Sequence, residues 1–296
     1  MNSATSTPAP ESLALRAMPA LFVLLWATGF IGAKLGLPYA PPLKFLLWRF
    51  LVVIVLMSGF ALATRAPWPR GMRLVHVAVA GILLQAGYLS GVFIGISLHM
   101  PAGLSSLIVG MQPLLIGASG GLTGERVSAR QWAGLVLGFV GVVLVVSNKV
   151  GLSGFGWEAV AFTVMALLSI TAGTVYQKKY CGGADLRTQS VVQFIAAGAV
   201  LLPFALAFET RAVVWSGQFI FALLWVVFVL SFGAISLLML LLRKGAATMV
   251  SSLMYLVPPV TALMAYALFD EQLSALAVLG MAVAVVGVAL VVRPAR

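Results

Sequence analysis

Ten stretches of this sequence are each long and apolar enough to cross a lipid bilayer, and no other feature constrains the fold as tightly. A helix covers the hydrocarbon core with about 20 mainly apolar residues. The runs fall at about 18–37, 42–63, 74–97, 101–122, 130–148, 157–177, 189–208, 217–241, 246–268 and 274–292. Turn chemistry separates them: Pro38 with Pro41-Pro42, Pro67 with Pro69, Gly151 to Gly156, and Gly182-Gly183. The runs are apolar nearly all round, as in helices buried in a bilayer or a bundle. The period-two alternation of a transmembrane barrel is absent. Composition agrees: 62% of the 296 residues are apolar and 8% charged, too few polar groups to cover a soluble surface. A soluble enzyme, a disordered chain and a coiled coil are excluded. The expected fold is an all-α integral membrane protein of ten transmembrane helices. Residues 1–17, rich in Ser, Thr, Pro and Ala, read as a disordered terminus. The stretch from Met18 is too long for a signal peptide and has no small-residue cleavage site, so it reads as the first span.

Charge placement orients the chain. Ten spans put both termini on one side. The loops and ends on that side carry Arg16, Arg65, Arg70, Arg73, Arg126, Arg130, Lys178, Lys179, Arg187, Arg243, Lys244, Arg293 and Arg296. The opposite loops carry Lys149 and Arg211, while Lys34, Lys44 and Arg49 lie in or beside the first two spans. Cytoplasmic loops collect basic residues, so both termini are expected in the cytoplasm. The same rule accounts for the net charge of +11 without nucleic acid. A lone cysteine, Cys181, precludes an intrachain disulfide, and with only His76 and His99 beside it there is no set of ligands for a zinc or iron site.

The chain also repeats itself. Residues 105–146 overlie 251–292 at a constant offset of 146: SSLIVGMQPLL on SSLMYLVPPVT, Pro113 on Pro259, Glu125 on Glu271, Gly134 on Gly280 and Gly141 on Gly287. GVVLVV and GVALVV agree at five of six positions. At the same offset Gly87 falls on Gly233; at 144, Gly29 falls on Gly173, Lys34 on Lys178 and Phe50 on Phe194. Apolar bias inflates chance matches but does not explain paired Ser, Pro and Glu. Two units of five helices follow, 18–148 and 157–293, joined by a linker at 149–156. Five is odd, so the second unit enters from the opposite face, giving two inverted five-helix repeats. Such repeats can exchange shapes and move a central cavity from one face to the other. An old duplication kept for stability alone is the plainer alternative.

The ten spans in two fives, the first helix reading LLWATGFIGAK, and the paired Pro113, Glu125, Gly141 and Pro259, Glu271, Gly287 resemble the drug/metabolite transporter superfamily, its EamA-type branch above all. The resemblance runs from about residue 18 to 293. Within that branch the chain resembles bacterial amino-acid exporters of the YddG type. The resemblance implies a bundle in which helices 1–4 and 6–9 line a central cavity. The last helix of each half, 130–148 and 274–292, would pack outside and support a homodimer.

Polar groups inside spans are costly and mark candidate sites. No carboxylate lies mid-span: Glu11, Glu125, Glu158, Asp185, Glu209, Asp270 and Glu271 all fall at ends or in loops. Exchange of protons for cationic drugs on a membrane-embedded Glu is therefore disfavoured, as is an intramembrane protease. Arg49 is the deepest charge, about 10 Å into the second helix. Two readings of it stand: a counter-charge for a substrate carboxylate, or a side chain snorkelling to the interface beside Lys44. Trp26, Gly29, Gln85, Tyr88, Tyr176, Gln193 and Tyr255 complete the candidate substrate-binding set, since aromatic rings with a few polar tips suit a small amphipathic metabolite. Trp and Tyr also populate the headgroup belt, a reading weakest for Trp26, Gln85 and Tyr255. Pro113, Pro258 and Pro259 fall mid-helix at matching places and read as hinges, or as static kinks. Gly87, Gly91, Gly95, Gly134 and Gly138 read as close-packing positions.

The expected function is a secondary transporter exporting amino acids or similar small metabolites by alternating access across a bacterial inner membrane. No catalytic residue, metal or cofactor is expected, and the phosphate-binding loop of self-contained ATP-driven pumps is absent from the sequence. The alternative is a carrier of anionic metabolites such as sugar phosphates or nucleotide-sugars. That class calls for several cations facing the cavity, where only Arg49 and Lys34 qualify.

Overall fold

Turn and cap residues set the helix ends in the computed structural model, which describes residues 13–119, 129–149, 154–234, 237, 240–241, 253–271 and 274–292. Helix α1 is Leu13–Gly36 and α2 is Pro42–Ala63, opened by a proline where the missing N–H has no helical partner to lose. Helix α3 is Met72–Ser97. Helix α4 comes in two pieces, Ala102–Val109 and Gln112–Ser119. Then follow α5 (Ala129–Lys149), α6 (Trp157–Tyr180), α7 (Leu186–Phe208) and α8 (Gly217–Ala234). Helix α9 is Val257–Phe269, after a single 3-10 turn at Met254–Leu256, and α10 is Ala275–Val292. Side-chain caps open three of these. Asp185 accepts the Arg187 N–H at 3.0 Å, Ser216 the Phe219 N–H at 3.1 Å, and Ser274 the Ala277 N–H at 3.1 Å. The hydrogen-bonded Arg187 guanidinium holds the Asp185 carboxyl at about 2, well below the usual carboxylate range.

Among the described residues there is no strand. Six helices, in α1, α2, α3, α6, α7 and α8, are long and apolar enough to span a membrane; α4, α5, α9 and α10 contain shorter apolar helices. The runs expected at 101–122 and 246–268 are thus not uniform helices where they are described. Proline explains the interruptions. Pro113 has no N–H for the Val109 carbonyl and its ring crowds that turn, so the ladder tightens: Met111 N–H reaches Ile108 O at 3.1 Å and Leu114 N–H reaches Met111 O at 2.9 Å. Pro258 and Pro259 sit in the first turn of α9, directly after the 3-10 turn. These breaks fall at matching positions of the two halves. So do two widened, π-helical stretches, Ile82–Gly87 in α3 and Trp225–Ala234 in α8.

Small residues let the helices meet closely. A Cβ on Gly91 of α3 would stand 2.8 Å from the Ala166 Cβ of α6, closer than real atoms approach. Helices α5 and α10 cross in the same way. A Cβ on Gly141 would lie 2.6 Å from Gly280 O, and one on Gly287 would lie 2.6 Å from Gly134 O. These helices therefore pack first on each other. Their far sides present exposed apolar residues, among them Trp132, Phe139, Leu279 and Val286. Several contacts recur when the halves are exchanged. Gly29 lies against Leu230 and Gly173 against Leu84, while Phe50 of α2 and Phe194 of α7 touch each other with ring centroids 5.2 Å apart.

Candidate functional site

Helices α1, α2, α3, α4, α6 and α8 surround a central cavity of about 400 Å³, and Met254, ahead of α9, completes its wall. Each helix places one face on it. From α1 come Trp26, Gly29 and Phe30, spaced three and four residues apart on one side. From α3 come Leu84 and Gln85 of the π stretch, then Tyr88, Leu89, Val92 and Phe93. Helix α6 adds Ile170, Thr174 and Gln177, a single i, i+4, i+7 row, and α8 adds Leu230. Gln112, at the break of α4, donates to Thr174 Oγ1 at 2.8 Å and so ties α4 to α6 across the wall.

Arg49 is the one charged residue among the described residues that line this cavity. It is 8% exposed. Its Nη2 donates to Ser231 Oγ at 3.3 Å, and its Nε has no acceptor among the described residues. Ser231 Oγ in turn donates to Val226 O, five residues back, at 3.3 Å. That register belongs to the π stretch of α8, which thereby turns a hydroxyl toward α2. Snorkelling beside Lys44 does not describe this side chain. Lys44 Nζ instead donates to Arg211 O at 2.7 Å, in the connection between α7 and α8.

Of the residues singled out in the sequence, Trp26, Gly29, Arg49, Gln85 and Tyr88 meet in the cavity wall. Tyr176 and Gln193 do not line it. The Tyr176 hydroxyl lies 2.8 Å from His76 Nδ1, and its ring packs on Tyr180 at 4.7 Å, on the α3-facing side of α6. Gln193 is buried one layer back, its Nε2 donating to Gln177 Oε1 at 2.6 Å. The side chain of Tyr255 lies outside the described residues. Pro113 and Pro258 stand at the helix breaks beside the wall, Pro258 packing where a Cβ on Gly110 would be 2.9 Å away; Pro259 follows in the first turn of α9. Gln112, Thr174 and Gln177 were not singled out. Gln177 carried a usable signal: it continues the row from Gly173 and Thr174, whereas Tyr176 is turned about 100° away.

A second, larger cavity of about 1,060 Å³ lies at the end formed by the α1–α2, α3–α4, α7–α8 and α9–α10 connections. A buried aromatic cluster forms where α2 runs from Pro42, which lines the larger cavity, to Arg49, which lines the central one. Phe45 meets Phe93 and Phe219 edge-on, each at 5.2 Å. Polar bonds draw the same end together. Lys34 pairs with Glu271, which also accepts the Ala102 N–H at 3.0 Å, joining α1, α4 and the α9–α10 turn. Glu209 accepts the N–H groups of Leu43 and Lys44 at 2.7 and 2.9 Å, setting a carboxylate on the positive end of α2.

Comparison with known proteins agrees with this architecture. Residues 17–147 and 157–293 each match the EamA-like transporter family. The chain is 30% identical to the uncharacterized transporter YvbV of Bacillus subtilis over 285 residues, covering 92% of this chain and 89% of that protein. It is 27% identical over 275 residues to the uncharacterized inner membrane transporter YedA of Escherichia coli K12, with the same coverage. It is 26% identical over 274 residues to an Escherichia coli K12 protein named a probable amino-acid metabolite efflux pump, with 88% of each chain covered. One solved crystal structure, 19% identical, shares the fold at a TM-score of 0.64 over 94% of this chain and 97% of its own. A multi-helix apolar bundle around a central cavity, matched twice along its length, belongs to the EamA-like transporter family of the drug/metabolite transporter superfamily.

Proposed function

We propose that this protein is a secondary transporter exporting amino acids or similar small metabolites across a bacterial inner membrane by alternating access. The observation that carries the reading is the central cavity itself. Helices from both family-matching stretches wall it, and the buried cluster of Phe45, Phe93 and Phe219 sits along α2 and α3 between residues that line it and residues that line the larger cavity. In this reading the aromatic cluster hinders a solute from leaving by that end, as one of the two states of alternating access requires. Two inverted halves supply the other state by exchanging their shapes. The twofold family match, the matched breaks and π stretches, and the Phe50–Phe194 contact between equivalent positions support that arrangement. The basic-residue bias supports an orientation with both termini and the α2–α3 connection in the cytoplasm and the larger cavity facing out. The relative named an amino-acid metabolite efflux pump supports the choice of cargo. Phosphorylated sugars fit less well, because Lys34 is spent on Glu271 in the other cavity and leaves Arg49 as the single cation among the described residues lining the central one.

Purified protein in liposomes should give saturable flux of labelled amino acids or related metabolites. Absence of flux across a broad panel counts against the carrier. Orientation is checked separately with an impermeant thiol reagent on whole cells, after replacing the buried native Cys181. Thr210→Cys should label from outside and Arg70→Cys only after the membrane is opened. Labelling of both from the same compartment removes the proposed topology.

A further inference from the structure

The charge inventory of the central cavity is unbalanced in a way that selects its cargo. A guanidinium stays protonated in any protein environment. An ionised group held out of water without a counter-charge is among the most expensive arrangements a fold can contain. Arg49 is such a group: buried, facing the cavity, with one long hydrogen bond to a neutral hydroxyl and an orphaned Nε. No carboxylate stands among the described residues of the cavity wall. The Arg49 Nε has no acceptor among the described residues, and the π stretch of α8 supplies the Ser231 hydroxyl that Nη2 reaches.

We propose that the cavity takes an organic monocarboxylate with an apolar, ring-sized body and no cationic group, its carboxylate seated on Arg49. The assignment rests on the reading of this cavity as the transport site and, among the amino acids and similar small metabolites named there, favours carboxylates that lack an ammonium group. A planar carboxylate matches a guanidinium fork with two parallel bonds and supplies the counter-charge that the described lining residues lack. The rest of the wall suits what the carboxylate is attached to: Trp26, Phe30, Tyr88 and Phe93 offer ring faces and edges, and a volume of about 400 Å³ holds one ring on a short chain. A zwitterionic amino acid fits worse, since its ammonium group would meet no carboxylate among the described lining residues. A phosphate dianion brings two charges to one cation.

Three probes of one skeleton separate these cases: 3-phenylpropionate, its neutral amide 3-phenylpropionamide, and phenylalanine. Equilibrium binding to the purified full-length protein, and flux into liposomes, are measured for each. The carboxylate should bind about tenfold to hundredfold more tightly than either of the others, the range a charged hydrogen bond supplies. Arg49→Gln should erase that preference and Arg49→Lys should keep part of it. Equal binding of the three probes, tighter binding of phenylalanine, binding of none up to their solubility limits, or a preference that survives in R49Q each overturn the proposal. If R49Q does not fold, the three-probe comparison on the unaltered protein decides. Saturable flux that ignores the carboxylate sinks this assignment and leaves the carrier standing. Carboxylate-selective binding that depends on Arg49, with no flux, does the reverse.

Discussion

Gly91 and Gly59 both lie inside helices, yet substitutions at the two should have opposite outcomes. Nothing stands within 4 Å of a Cβ at Gly59, so Gly59→Ala gains helix propensity without a clash and should raise stability by about 0.5–1 kcal/mol. At Gly91 a side chain meets the backbone of Phe162 and the methyl of Ala166, so Gly91→Val must push α3 off α6 and should cost about 1–3 kcal/mol. Thermal unfolding in detergent reads both, and a neutral G91V would mean that this helix pair is looser than described. Individual residues differ in how far the sequence discloses them. The cost of a mid-span charge marks Arg49 from sequence alone, and one helical face of polar and aromatic positions gathers Trp26, Gly29, Gln85 and Tyr88. Gln112 and Thr174 escape notice because each is a single polar residue whose meaning lies in the other, 62 positions away. Tyr176 misleads because its aromatic ring draws attention to a face of α6 that packs against His76.

At the scale of the element, six of the apolar runs form helices long and apolar enough to span a membrane and the other four contain shorter apolar helices, since hydropathy over about 20 residues leaves little else to form in lipid. What hydropathy does not disclose is continuity. Proline in a span leaves open whether the helix bends or breaks, because bundle partners can re-satisfy the freed carbonyls. Here α4 breaks just before Pro113, and the α9 prolines follow a 3-10 turn. The π stretches are less legible still, because one widened turn has no compositional mark. The breaks adjoin the cavity wall at Gln112 and Met254. Straightening them with Pro113→Ala or Pro259→Ala should restore helical hydrogen bonds, raise the melting temperature, and slow flux more than it weakens binding. A variant with unchanged flux would reduce these prolines to static kinks.

Across the whole molecule, Lys34 and Glu271 fasten one end of the bundle, the first belonging to one family-matching stretch and the second to the other. Reversing either charge alone should impair flux, and the double reversal Lys34→Glu with Glu271→Lys should recover part of it, since coupled pairs of this kind carry about 0.5–3 kcal/mol. Recovery would be incomplete because Glu271 also accepts the Ala102 N–H. Additive losses in the double variant would show that the pair does not hold that end together. The cavity between the two stretches has one cation, no acid and no coupling carboxylate among its described lining residues, which bears on where driving force comes from. An organic anion leaving a cell whose interior is electrically negative gains about 2.3 kcal/mol for every 100 mV. That gain sustains a concentration ratio of roughly fortyfold. A carrier of monocarboxylates built this way could use the membrane voltage in place of a co-transported ion, and would slow when that voltage is collapsed.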